Sequence, residues 1–313
     1  TVLLLHGKNF CAATWEDTIT ALADAGFRVV AVDQVGLGDQ HAATGEDGAE
    51  GEGEGAEHDQ DADFLRRQPL GAIRVVAVDQ VGFCKSSKPE NYQFSLHQLA
   101  ANTRALLASL GIGKTHVLGH SMGGMLAARY ALMYPEATTR LLMLNPIGLE
   151  DWKALGVPWR SVDQWFAREQ GTDADSIRAY QRDIYFNGDW KPGYERWVGM
   201  LAGMYAGPDR EIVAWNQALT SDMVFTQPVV HEFPNIAVPT TLFIGQRDRT
   251  AIGRDLAPEA LKAQLGNYPE LGQRAVRSIP NATLVAFDEL GHSPQVEAPE
   301  RFHAVLLAIL GKR

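Results

Sequence analysis

Short unbroken apolar runs recur along the chain, separated by longer stretches in which apolar residues return every three or four positions. Residues 1–5 (TVLLL), 74–80, 115–118, 140–144, 240–245 and 283–287 are runs of the first kind. A strand covered on both faces reads this way, because neither face can hold polar side chains. Residues 15–24, 96–110, 122–133 and 299–310 read as helices. Gly26 and Gly111 close the first two, and Pro135 lies just past the third. Strands alternating with helices predict an α/β fold with a mostly parallel, doubly wound sheet.

Two stretches break the rhythm. The segment Arg28-Val-Val-Ala-Val-Asp-Gln-Val-Gly36 returns unchanged as residues 74–82. A single duplication is too short for a stacked repeat, so only one copy is expected to fill the interior strand position. The second copy is preferred, since it leads directly into a loop and the helix at 96–110; the first would be a spare edge strand or poorly ordered. Between the copies, residues 37–70 are acidic and poor in apolar side chains, a composition that predicts disorder. The other break spans residues 147–238, which hold six of the seven Trp. It reads as a helical lid inserted into a core made of residues 1–146 and 239–313.

Charge and composition narrow the function. Ten acidic residues and no Lys or Arg fall within 39–63, and they account for the whole net charge of −10. The remaining chain is neutral, with no basic stripe for nucleic acid. No apolar run is long enough for a transmembrane helix. The chain opens at Thr1 rather than Met with no leader-like segment, so localisation is left open between cytoplasm and export. No metal-ligand spacing is present and no cofactor is expected. Cys11 and Cys84 are too few for a disulfide scaffold.

The chemistry concentrates at Gly119-His-Ser121-Met-Gly123-Gly124, which follows a strand and opens a helix. In a G-x-S-x-G turn the serine takes strained backbone angles, and side chains at the flanking positions would collide. Ser121 is the expected nucleophile. It needs a base, and His292 stands on a loop after the strand at 283–287; it also needs an orienting carboxylate, and Asp248 follows the strand at 240–245. The backbone N–H of Met122 is one expected oxyanion donor. The other comes from His6-Gly-Lys-Asn-Phe10, at Lys8 or the competing Asn9.

Five ordered motifs together resemble the α/β-hydrolase superfamily. They are Leu3-Leu-Leu-His-Gly7, Asp79-Gln-Val-Gly-Phe83 with Ser86-Ser-Lys-Pro89, the Ser121 turn, residues 238–245 with Asp248, and Gly291-His-Ser-Pro with Glu297 and Pro299. The resemblance is strongest to the lidded branch of esterases, epoxide hydrolases and carbon–carbon bond hydrolases. It implies the chain order Ser121, Asp248, His292 and an acyl-enzyme mechanism. It also implies two further strands before the His-Gly loop, which this chain lacks, and it makes the duplicated strand foreign to the pattern. By the same likeness Cys11 and Cys84 come to neighbouring strand ends, where a disulfide is one alternative to two free thiols.

Ser121 excludes the relatives that place an Asp nucleophile at this position. The simplest expectation is a carboxylesterase acting on a small, largely apolar substrate. The same triad would also serve a carbon–carbon hydrolase of dienone ring-fission products, with Arg160, Arg168 or Lys191 as a carboxylate clamp, or a lactonase. A reading of a different class is a non-catalytic ligand-binding protein on the same scaffold, which the full triad argues against.

Overall fold

The computed structural model describes residues 1–33 and 73–311. Strands β1 (Val2–Leu5), β2 (Phe27–Asp33), β3 (Ile73–Asp79), β4 (Thr115–His120), β5 (Thr138–Leu144), β6 (Thr240–Gly245) and β7 (Ala282–Phe287) form one sheet. Its order is β2-β3-β1-β4-β5-β6-β7, and every neighbouring pair is parallel. Apolar residues on successive positions point to opposite faces. Leu3, Leu5, Val76, Val78, Val117, Leu141 and Met143 enter one core, while Val2, Leu4, Val75, Ala77, Leu118 and Leu142 enter the other. That two-sided burial is why the strands read as continuous apolar runs.

Helices close both faces. On the first lie α2 (Leu96–Ser109) and α3 (Met122–Met133), with Leu99, Leu107, Met125 and Leu126 buried. On the second lie α1 (Glu16–Asp24) and, at the chain's far end, α12 (Pro299–Gly311), which contribute Leu22, Phe302 and Leu306. Ser95 caps α2 by accepting from the Gln98 N–H at 3.0 Å.

Both copies of the duplicated segment are strands. The second takes the interior place beside β1, as expected, and the first lies outside it at the sheet edge. Each residue pairs with its own duplicate, from Arg28 with Arg74 to Asp33 with Asp79. Identical sequences share one two-residue alternation, so in-register pairing matches their faces. The expectation of disorder for residues 37–70 lies outside the described residues.

Five helices occupy the stretch between β5 and β6: α4 (Trp152–Leu155), α5 (Val162–Gln170), α6 (Ala174–Tyr180), α7 (Glu195–Ala206) and α8 (Arg210–Thr226). A single π-helical turn, Gln181–Tyr185, extends α6. These helices build an apolar cluster of their own from Ile177, Val198, Leu201, Tyr205, Val213 and Ala214. After β6 come α9 (Glu259–Lys262) and α10 (Tyr268–Ser278), and after β7 comes α11 (Pro294–Glu297). Among the described residues, no helix is long and apolar enough to cross a membrane.

Candidate active site

Strand β4 runs two residues further than the apolar pattern suggested, to His120, and α3 begins at Met122. Only Ser121 separates them. Its backbone sits at φ 57°, ψ −121°, a region that residues with a Cβ avoid. Three backbone hydrogen bonds hold it there. Its N–H donates to Leu144 O at 3.1 Å, and its carbonyl accepts from Gly124 N at 2.9 Å and Ile147 N at 3.2 Å. A Cβ on Gly119 would overlap the Gly123 carbonyl across the turn, and one on Gly123 would strike the Leu5 carbonyl of β1. The first glycine thus permits the turn itself. The second permits its close approach to the neighbouring strand.

Asp248 and His292 come together at the carboxyl ends of β6 and β7. His292 Nδ1 and Asp248 Oδ2 are 2.6 Å apart, and both side chains are wholly buried. Asp248 is held from two more directions: Asn145 Nδ2 donates to Oδ2 at 2.8 Å, and Thr250 N donates to Oδ1 at 2.8 Å. Asn145 stands at φ 37° just past β5, and its Oδ1 accepts from Gly245 N at 2.9 Å. With Nδ1 committed to the carboxylate, Nε2 of His292 is the free nitrogen, and it has no hydrogen-bond partner. No hydrogen bond joins it to the Ser121 hydroxyl.

The His292 loop has further supports. Glu297 receives the N–H of Gly291 at 2.9 Å and that of Ser293 at 3.1 Å, one on each side of the histidine. Burial is the main cause that raises the Glu297 carboxyl to a pKa of about 7, against the lowering effect of those N–H donors. His120 Nε2 lies 2.9 Å from the His292 carbonyl. Burial, then the nearby His292, keeps the His120 pKa well below the ordinary imidazole value.

The loop after β1 packs against the serine. A Cβ on Gly7 would come 2.9 Å from Ser121 Cβ and 3.3 Å from its Oγ, so glycine lets the backbone reach the side chain. Nε2 of His6 accepts from Gln80 N at 3.0 Å. Nδ1 therefore carries the proton and donates to Gly7 O at 2.8 Å. Burial lowers the His6 pKa, outweighing the pull of Asp79, which keeps the ring neutral. Phe10 N also donates to Gly7 O, at 3.1 Å. In a trans peptide the N–H points opposite the carbonyl, so fixing Gly7 O also fixes the direction of the Lys8 N–H. Asn9 instead commits its side chain, donating from Nδ2 to the Tyr185 hydroxyl at 2.8 Å.

Cys11 and Cys84 are paired as a disulfide with their Cα atoms 6.0 Å apart, joining the loop after β1 to the loop after β3. Asp79 spans the same two loops, accepting from Ala12 N at 2.6 Å and Lys85 N at 3.5 Å. Cys11, Asp79 and Cys84 are the one potential metal-ligating group among the described residues, and the disulfide occupies both sulfurs.

A cavity of about 660 Å³ opens beside the loop after β1, with Lys8 and Asn9 in its wall and the helices between β5 and β6 and the segment after β6 around it. Ser121 and His292 do not line it; Gly7, which packs against Ser121, directly precedes the wall residue Lys8 in the chain. Lys8 Nζ pairs with Glu169 of α5 at 2.8 Å, and the Tyr205 hydroxyl donates to the other Glu169 oxygen at 2.6 Å. Five basic side chains line the cavity (Lys8, Arg168, Arg249, Arg254 and Lys262) against two acidic ones, Glu169 and Asp255. Of the basic groups expected in the inserted segment, Arg168 is in the wall. Arg160 turns to Asp255 at 2.6 Å and lies over the Trp165 ring, and Lys191 reaches the Glu297 carbonyl at 3.2 Å, away from the cavity.

A model described as the alpha/beta hydrolase family matches residues 2–305. The chain belongs to the alpha/beta hydrolase family. Among solved structures, this hydrolase is similar to a "probable hydrolytic enzyme" from Pseudomonas aeruginosa PAO1. The two are 53% identical with a TM-score of 0.82, covering 98% of this chain and 84% of that one. Among curated proteins it is 25% identical over 240 residues to 2-hydroxymuconate semialdehyde hydrolase of Pseudomonas putida, 73% of this chain and 74% of the relative. A 2-hydroxy-6-oxononadienedioate/2-hydroxy-6-oxononatrienedioate hydrolase of Burkholderia vietnamiensis is 24% identical over 314 residues, 99% of this chain and 86% of the relative. An enol-lactonase from Burkholderia xenovorans LB400 shares the fold at 16% identity and a TM-score of 0.64, covering 99% of this chain and 91% of that one.

The motifs marked Ser121, Asp248, His292 and the loop at Lys8 and Asn9. They did not mark Asn145, His120 as a support of the His292 backbone, or Tyr185. The one local sign for Asn145 is its place at a strand end before Pro146, which is too common to single it out.

Proposed function

We propose that this hydrolase cleaves a small, carboxylate-bearing carbonyl compound at a carbon–carbon bond, through an acyl-enzyme on Ser121. The buried Asp248–His292 bond with Nε2 left free beside the Ser121 turn carries the hydrolytic part of this reading. Ser121 Oγ attacks the carbonyl carbon and gives its proton to His292 Nε2. Asp248 holds the ring and balances the charge of the imidazolium. The oxyanion that forms takes the N–H of Met122 and, by the fixed Gly7–Lys8 peptide, the N–H of Lys8, with Asn9 as the lesser choice. Met122 opens α3, so the helix N-terminus adds its positive end. When the tetrahedral intermediate collapses, the leaving carbon receives the proton from His292. Water, deprotonated by His292, then frees Ser121. The helices between β5 and β6 act as the lid that walls the substrate cavity.

Two observations favour the carbon–carbon substrate over a simple ester. Two of the curated relatives are named as hydrolases of 2-hydroxymuconate semialdehyde and of 2-hydroxy-6-oxononadienedioate/2-hydroxy-6-oxononatrienedioate. The cavity also carries a basic group with no ion pair among the described residues: Arg249, whose guanidinium donates to backbone carbonyls instead. A neutral apolar ester gains nothing from such a wall, whereas a carboxylate does. The ester reading keeps second place because the same triad would perform it.

The test uses a fluorophosphonate probe, a 2-hydroxy-6-oxo-dienoic acid followed by loss of its ultraviolet band, and p-nitrophenyl esters of graded length. Labelling is expected in the wild-type protein and absent in Ser121→Ala, with kcat/KM for the dienoic acid exceeding that for any ester. Labelling that survives Ser121→Ala overturns the nucleophile. Turnover of esters alone overturns the carbon–carbon assignment.

A further inference from the structure

We infer that Tyr185, from the inserted segment, is a positioning residue that sets the spacing between the His292 loop and the loop carrying the Lys8 and Asn9 donors. The inference rests on the hydrolytic reading of Ser121 and His292. Tyr185 is 3% exposed and reaches both loops with different atoms. Its hydroxyl accepts from Asn9 Nδ2 at 2.8 Å. Its carbonyl accepts from His292 N at 2.9 Å. Its ring stacks on the His292 imidazole, with centroids 4.5 Å apart and planes 27° from parallel, and stacks on Phe10 of the other loop at 5.6 Å and 23°. One ring is thus held between the imidazole of the proposed base and the aromatic residue that ends the His-Gly loop.

The local backbone explains how a residue of the insert comes to lie there. Tyr185 ends the π-helical turn, in which Phe186 N donates to Gln181 O at 3.0 Å. The wider turn adds a residue to α6, and such turns often occur at functional sites. Asn187 and Gly188, both at positive φ, then end it. On the facing loop, a Cβ at Gly291 would overlap the Tyr185 carbonyl. Glycine there lets the two backbones meet.

A link of this kind acts on the chemical step. If the imidazole or the Lys8 peptide tilts by a fraction of an ångström, proton transfer and oxyanion contacts suffer while the remote cavity still binds substrate. Removal of the ring in Tyr185→Leu is expected to lower the rate of fluorophosphonate labelling at Ser121, and kcat, by about 100-fold, with KM changed by less than about threefold. Tyr185→Phe removes only the hydroxyl and leaves the stack and the backbone bond, so it restores most of that loss. It is expected to fall about threefold to tenfold below wild type, through loss of the hydroxyl's bonds to Asn9 and Tyr180, and Asn9→Ala should add little to it because the Asn9 bond is then already gone.

Thermal melts accompany each variant. If Tyr185→Leu does not fold, the Tyr185→Phe and Asn9→Ala pair decides the matter: additive effects, or a rate equal to wild type in Tyr185→Phe, overturn the inference. In a folded Tyr185→Leu, labelling within twofold of wild type overturns it, as does a loss confined to KM. Failure of the wild-type protein to label at Ser121 instead overturns the hydrolytic reading beneath it.

Discussion

Ser121 offers a way to measure the backbone strain of the turn separately from its chemistry. Ser121→Ala and Ser121→Gly both remove the hydroxyl, and both should abolish labelling by a fluorophosphonate. They differ in one respect. Alanine keeps a Cβ at φ 57°, ψ −121°, whereas glycine occupies that region freely. A residue with a Cβ in a disfavoured region costs about 1–3 kcal/mol, and glycine gives back about 0.5–1 kcal/mol through its larger unfolded-state entropy. Ser121→Gly is therefore expected to be more stable than Ser121→Ala by about 0.5–2 kcal/mol. For 313 residues, an unfolding entropy of about 2 cal/mol/K per residue converts this to roughly 1–3 °C in Tm. Matched thermal melts and urea titrations of the two variants give the difference directly, and the absence of the hydroxyl cancels. A glycine variant no more stable than the alanine variant would show that the three backbone hydrogen bonds at Ser121 relieve the strain, and the account of the turn given above would be wrong.

Two further outcomes concern stability. The Glu297 carboxyl has its pKa raised to about 7 in the fold, chiefly by burial, so the native state holds this proton more tightly than the unfolded chain. Its contribution is fully present below about pH 4.5 and is lost as pH rises through about 7; the shift sets an upper bound of about 3 kcal/mol. Urea unfolding at pH 5 and pH 8 should show wild type losing more stability across that window than Glu297→Gln, and equal losses would remove Glu297 as the source. The Cys11–Cys84 disulfide closes a loop of sequence separation 73, for which chain entropy predicts up to about 4 kcal/mol. Reductant should lower the unfolding midpoint of wild type and leave Cys11→Ser unchanged, and a count of two free thiols in the denatured, unreduced protein would refute the pairing.

What could be read along the chain was whatever short-range sterics and periodicity dictate. The sheet strands showed as apolar runs because both faces are covered, and α3 started at Met122 as expected. The Ser121 turn showed because its glycines answer to contacts between residues four apart, or to β1, the strand beside it. Which copy of the duplicated segment takes the interior place was also legible, since residues 74–82 lead straight into the next loop and helix. The first copy's in-register pairing at the edge could be recognised only from the assembled sheet.

The tertiary structure decided everything that depends on contacts between distant segments. Asn145 meets Asp248 across 103 residues, and Asn9 meets Tyr185 across 176; no periodicity connects such pairs. Arg160, Arg168 and Lys191 looked equivalent in sequence, and packing turned only Arg168 toward the cavity. The reason is general to parallel sheets. Strand order brings chain-distant loops to one edge, so a residue's own neighbourhood in sequence settles its backbone, while the strands beside it settle what its side chain touches.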